Sequence, residues 1–336
     1  MELITFLYYS LPRSTLLAPR PTLLAPRSTL LTPHPMRPLF LSPSKPRLRA
    51  GWRLLIQSLI MLLLGLCIGI PVILLPMMFE ISPHGLLPPE MAIPELLTSL
   101  AVEFLAITVS IFLARRFLDR RSFASLGLEL QWRALVDILA GIAITFVMMG
   151  LIYILMWSSG WIQFEGFAWQ TQPVGAVVVN TLLIFLAFIL VGWNEELLSR
   201  GYHLQNLADG INLTWGVILS SAVFGVLHLT NPNATWLSAV GIFLAGLFLA
   251  FAYLRTKQLW LSIGLHIGWN FFEGTVFGFP VSGMEFYRLI RHTVSGPELW
   301  TGGAFGPEAG LVVLPALAVG MALVYGYTVC STQEFR

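Results

Sequence analysis

From Trp52 onward the chain is a succession of apolar runs, each about twenty residues long and so able to cross a hydrocarbon core as a helix. They fall near Leu54–Phe79, Leu96–Ala114, Ala134–Trp157, Val174–Glu196, Trp215–Leu229, Trp236–Arg255, Leu259–Phe279 and Gly310–Val329. Inside a bilayer no water is present to satisfy backbone N–H and C=O groups, so a run of this length has to satisfy its own, as a helix does. The expected fold is therefore all-α, a multi-pass membrane helical bundle with about eight transmembrane helices. Composition agrees: charged residues make up 11% of the chain, against about 25% in a soluble domain.

Basic residues collect before the first run (Lys45, Arg47, Arg49, Arg53), after the second (Arg115, Arg116, Arg120, Arg121) and after the sixth (Arg255, Lys257). Basic loops favour the cytoplasmic face, which predicts a protein of the cell membrane with both termini in the cytoplasm; Arg288 and Arg291 then fall outside. A net charge of +2 is too balanced for a nucleic-acid binder. Cys67 and Cys330 both lie in apolar runs and build neither a disulfide framework nor a Cys-rich metal site.

Four regions are expected. Residues 1–50 read as a disordered, Pro/Arg-rich cytoplasmic tail with heptapeptide repeats: Ser14–Arg20, Pro21–Arg27 and Ser28–His34 share one pattern, and its recurring proline forbids a continuous helix. The tail lacks a secretory signal, and Met36 is an alternative translation start. Residues 51–170 hold three N-terminal spans, 171–280 a core of four spans, and 281–336 an extramembrane loop with the last span.

The core is set apart by its polar residues. Glu195 and Glu196 stand side by side after an almost wholly aliphatic and aromatic stretch, and His228, His266, Asn270 and Glu273 follow within apolar segments. A carboxylate at bilayer depth costs about 2.5–3.5 kcal/mol on insertion scales, so such groups face a protein-lined or wet cavity. By contrast, the first three spans and the last carry only Glu103 and Asp137 as isolated ionisable groups. Glu196 and Arg200 are four apart and share a helix face, as do His266 and Asn270. Pairing with Arg200 leaves Glu195, about 100° around the helix, free to point elsewhere. Gly264 and Gly268 form a small-xxx-small pattern that admits a neighbouring helix.

A carboxylate and an imidazole can together orient and deprotonate a water. A carboxamide N–H and a second imidazole can hold an oxyanion. Those parts suffice for amide hydrolysis with no cofactor. The same set also matches catalytic zinc ligation, with Glu195, His228 and His266 as the ligands. A His-Glu-x-x-His helix, a Gly-x-Ser-Gly site, a Walker loop and a dinucleotide fingerprint are all missing from the sequence.

The series Glu195-Glu196-x-x-x-Arg200, Phe224-x-x-x-His228 and His266-x-x-x-Asn270 resembles the CPBP family (CAAX proteases and bacteriocin-processing enzymes, also called Abi) over roughly Val174 to Phe272. Leu254–Trp260 and Arg121–Leu128 also look like that family's segments. Its members are multi-pass membrane endopeptidases, and the best-studied ones remove the terminal tripeptide from prenylated CAAX proteins. The resemblance implies that Glu195 activates water with help from His228, and that His266 and Asn270 form the oxyanion site. Glu196 and Arg200 would support them, and Phe224 would serve packing. It further implies a membrane or lipid-associated peptide or protein substrate, with neither nucleotide nor nucleic acid as partner.

The leading expectation is a membrane-embedded endopeptidase with a cytoplasm-facing cavity. The alternatives are a non-enzymatic scaffold or immunity protein of the same fold, a zinc-dependent version of the protease, and a proton-coupled carrier. The carrier would more naturally show inverted repeats, which are not seen. One tension remains at this level. The simple topology puts Glu195 and His266 toward the cytoplasm but His228 toward the far end of its span. A tilted or re-entrant fifth helix, or a fourth span extended to about Gln205, would bring them level.

Overall fold

A computed structural model describes residues 37–42, 47–78 and 89–333. The heptapeptide repeats and both candidate start positions lie outside the described residues. The account below concerns the unit Pro38–Arg336.

Eight helices carry the architecture. They are α1 (Ala50–Met78), α2 (Pro89–Leu113), α3 (Trp132–Ser158), α4 (Val174–Glu196), α5 (Leu213–Leu227), α6 (Trp236–Thr256), α7 (Trp260–Asn270) and α8 (Val313–Gln333). Among the described residues, seven segments are long and apolar enough to cross a membrane, which makes this a multi-pass helical membrane protein.

The run expected as a span at Leu259–Phe279 is different in kind. Its α-helical part, α7, has only 11 residues, and every one of them is buried. A π-helical turn, Phe271–Val276, continues it. Helices α3, α4 and α6 pack around α7, so its apolar residues face protein. Hydropathy alone cannot distinguish burial in protein from burial in lipid, which is why the two looked alike in sequence.

Glycines set that packing. A Cβ at Gly264 would overlap the Ile138 carbonyl oxygen, and one at Gly268 would overlap the Thr145 hydroxyl. From the other side, a Cβ at Gly141 would sit 2.5 Å from the Leu265 nitrogen. The small-xxx-small pattern of α7 is thus answered by a glycine on α3, and the two backbones approach closely. Around this seam, Met148, Met149 and Ile152 of α3 pack with Leu261 and Leu265 of α7 and with Ala316 and Val324 of α8.

Helix α4 does not stop at its second glutamate. It runs on through a π-helical stretch, Leu197–Leu204, and a last turn, Gln205–Gly210, giving one continuous span of 37 residues. Asn212 then caps α5, its side chain accepting from Trp215 N at 3.0 Å.

The basic clusters lie at one end of the bundle. Arg53 pairs with Asp119 at 2.5 Å and Asp209 at 2.9 Å, Arg115 pairs with Asp119 at 3.1 Å, and Arg47 also binds Asp209. Arg115 reaches Gln205 at the same end, and Gln205 in turn donates to the Leu126 carbonyl at 2.8 Å. At the opposite end two short strands, unforeseen from sequence, pair antiparallel: β1 (Ile162–Phe167) and β2 (Ile290–Val294), with a bulge between Phe164 and Gly166. The segment expected only as a loop before the last span therefore has structure of its own and closes over that end.

Candidate active site

Three elements bring the predicted residues together. Glu195 and Glu196 lie at the end of α4, His228 follows directly after α5, and His266 and Asn270 lie on α7. The extension of α4 to Gly210 resolves the depth mismatch. Glu195 precedes the Gly210–Leu213 turn by as many residues as His228 follows it, so the antiparallel pair sets the two side chains level. The extended fourth span, one of the expected remedies, is the one found.

Glu195 Oε2 lies 3.8 Å from His228 Nε2 and 3.7 Å from His266 Nε2. Among the described residues that oxygen has no hydrogen-bond partner. Each imidazole is held from behind. His228 Nδ1 donates to the Phe224 carbonyl at 2.8 Å, the residue one turn earlier. His266 Nδ1 donates to Glu196 Oε1 at 2.9 Å. With Nδ1 engaged as donor in both rings, both Nε2 atoms are turned to Glu195.

Glu196 is fully buried and paired with Arg200 at 2.7 Å. Arg200 also donates to the Gly246 carbonyl at 3.1 Å, and its guanidinium carbon lies 4.3 Å from the Phe224 ring centre. Phe224 in turn packs edge-on against both histidines. The reading of Phe224 as packing therefore agrees with its position: it is the spacer on which Arg200, His228 and His266 rest.

Glu195, Phe224, His228 and His266 line a cavity of about 360 Å³, with Asn270 also in its wall. The cavity runs from mid-depth toward the end bearing β1 and β2, where Ser282, Met284 and Glu308 line it. It therefore lies on the side away from the basic clusters.

Two lining carboxylates were not assigned to the site from sequence. Glu103 of α2 was noted only as an isolated ionisable group, yet it lines the cavity and interacts electrostatically with Glu195. A lone carboxylate at mid-span was the signal available for it. Glu308 gave none, because it lies in a Gly/Pro-rich loop without periodicity. It accepts from Ser282 N and Ser282 Oγ, both at 2.7 Å, and from Trp269 Nε1 at 2.9 Å. Burial pushes the Glu308 carboxyl above its ordinary value, opposed by Ser282, His228 and Trp269. Among the described residues no group of three or more His, Cys, Asp or Glu is arranged to hold a metal ion.

Fold and site together define a class, a polytopic helical membrane protein with acid and imidazole side chains gathered in an internal cavity. Residues 177–272, the segment carrying all three motifs, match the family described as Type II CAAX prenyl endopeptidase Rce1-like. The chain is also 25% identical over 182 residues to YdiL of Bacillus subtilis (strain 168), whose name gives it provisionally as a membrane peptidase. That match covers 51% of this chain and 68% of YdiL. Both findings support a CPBP-family protease. No solved structure matches the chain.

Proposed function

We propose that the chain is a membrane-embedded endopeptidase in which Glu195, assisted by His228, activates a water that attacks a peptide carbonyl. The observation that carries this reading is the unpartnered Oε2 of Glu195, held 3.8 and 3.7 Å from two imidazole nitrogens in a closed-in cavity. Separations slightly beyond a direct hydrogen bond suit one water touching both Glu195 and His228. Glu195 takes the proton as the water oxygen bonds to the carbonyl carbon. The resulting oxyanion accepts from Asn270 and from His266 Nε2. Donation from Nε2 while Nδ1–H stays on Glu196 needs the doubly protonated ring, with Glu196 as its counter-ion. The C–N bond then breaks as the proton passes from Glu195 to the leaving nitrogen, giving a carboxylic acid and an amine.

Glu196 and Arg200 act through His266 by holding its ring in register. A zinc-dependent version would use Glu195, His228 and His266 as the ligands, and no step here is routed through a metal. Completeness of the set speaks against a non-enzymatic scaffold, because every group that the chemistry needs is present at the cavity. With the basic end placed in the cytoplasm, both termini are cytoplasmic.

The test is a comparison of membrane peptides in cells carrying the wild type or Glu195→Gln. Substrates accumulate uncut in the variant if the reading holds, and identical peptide profiles would remove it.

A further inference from the structure

A second cavity, of about 300 Å³, shares no lining residue with the first. It lies where the start of α3, the end of α6, the start of α7 and the end of α8 meet. Glu129, in its wall, stands three residues after Leu126, whose carbonyl binds Gln205 at the basic end of the bundle. The volume falls at the lower limit of the usual range for ligand pockets, about 300–1,000 Å³.

Much of the polar wall is spent on itself. Trp260 Nε1 donates to the Glu129 carbonyl at 2.9 Å, and Gln258 Oε1 accepts from Glu129 N at 3.2 Å. Asp137 accepts from the Tyr327 hydroxyl at 2.5 Å and lies 3.8 Å from Arg133. Two groups are left over. Arg255 is fixed by its Nε, which donates to Thr328 Oγ1 at 2.9 Å, and by the Tyr325 ring, whose centre is 4.9 Å from the guanidinium carbon. Its two terminal nitrogens make no hydrogen bond or ion pair among the described residues. The exposed Glu129 carboxylate accepts only from Gln131, at 3.4 Å. Arg255 and Glu129 thus line one space and do not pair with each other.

The rim of this space is apolar. Leu130 is 86% exposed and Trp132 76%, and the Tyr325 ring that carries Arg255 is also exposed, on the membrane span α8. Aromatic side chains at the ends of spans sit at the headgroup level of a bilayer. An occupant would therefore be an amphiphile, with apolar parts outside the cavity and polar parts within. A planar guanidinium with two open nitrogens matches the oxygens of a phosphate, and a carboxylate nearby matches an ammonium.

We infer that this cavity holds the headgroup of phosphatidylethanolamine, its phosphodiester on Arg255 and its primary ammonium at Glu129, with the acyl chains running past Leu130 and Trp132. The site stands apart from the candidate active site and does not depend on the protease reading.

The test exposes the full-length protein, purified in a non-ionic detergent, to an equimolar mixture of dioleoyl phosphatidylethanolamine, phosphatidylcholine and phosphatidylglycerol. Lipids retained on the folded protein are counted by native mass spectrometry. Phosphatidylethanolamine should exceed each of the others by about tenfold, the scale of one charge-assisted hydrogen bond, because choline has no N–H to donate and glycerol has no ammonium. Arg255→Gln should lower its retention about tenfold. Glu129→Gln, a change at an exposed side chain, should erase the preference over phosphatidylglycerol, a ratio that does not depend on how much of the variant folds. Equal retention of the three lipids, retention unaffected by Arg255→Gln, or a preference unaffected by Glu129→Gln would each overturn the inference. Complete displacement of the lipid by an equal concentration of soluble glycerophosphoethanolamine would make the ligand a soluble phosphate ester, and would overturn the lipid assignment.

Discussion

His266 engages both members of the glutamate pair with different nitrogens: Nδ1 lies 2.9 Å from Glu196 Oε1, and Nε2 lies 3.7 Å from Glu195 Oε2. Two adjacent carboxylates with the same chemistry thereby have different surroundings. Glu196 is fully buried between Arg200 and His266, whereas the Glu195 side chain keeps 30% of its exposure and faces the cavity. Position around the helix, not residue type, separates the buried, paired carboxylate from the one that faces the cavity.

Glu195→Gln should lower turnover of a cleavable membrane reporter by about 10²–10⁴-fold, the usual worth of a positioned general base. Its Oε2 makes no hydrogen bond that the amide would lose. The unfolding temperature in detergent should therefore stay close to that of the wild type. Near-normal turnover in this variant is the result that would sink the assignment.

Glu196→Gln should behave differently, losing activity and stability together. Removing one partner of a buried ion pair leaves the other charge uncompensated, at a cost of about 3–5 kcal/mol. Thermal unfolding of the two glutamine variants side by side checks the contrast, and an unfolding temperature unchanged at position 196 would contradict it.

Gly264→Ala should destabilise the protein by about 1–3 kcal/mol through overpacking against the Ile138 backbone. Gly175→Ala is the control, because an added Cβ there meets nothing within 4 Å, and it should be neutral or slightly stabilising. Denaturation of the two variants under one set of conditions gives the comparison.

His292, on β2, is buried and its pKa is lowered by that burial, against the pull of the Phe277 carbonyl 2.8 Å from Nε2. A folded state that resists protonation is penalised as soon as the unfolded chain begins to bind the proton. The contribution of His292 is thus complete above the ordinary value of 6.5 and is lost as pH falls below it. Unfolding measured at pH 7 and pH 5 should show a loss of stability that is smaller in His292→Gln. A loss of equal size in both proteins would exclude His292 as its source.

Activity of the purified protein should survive prolonged treatment with a zinc chelator. Loss of turnover that returns when zinc is added would instead favour the metal-dependent version, with Glu195, His228 and His266 as ligands.

Much of the site was legible because helix spacing converts directly into shared faces. Glu196 with Arg200 and His266 with Asn270 could be placed from their four-residue intervals alone. That His228 would reach Glu195 could not be read the same way, since it depends on where α4 ends, and the π-helical stretch from Leu197 to Leu204 continues the helix without any break in composition. Glu308 was invisible for a related reason: its role comes from contacts with Trp269 and Ser282, far away in the chain.

What the sequence by itself determined is the class of fold and which ionisable groups lie among its apolar runs. The cost of exposing backbone and charge to hydrocarbon leaves a chain of this pattern few choices: apolar runs become helices, and the ionisable residues among them must turn inward. Only the tertiary structure decided which apolar helix faces protein instead of lipid, how the candidate residues come level with one another, and which side chains share the cavity wall. Those outcomes depend on close backbone approaches and distant side-chain partners, and no local interval along the chain encodes them.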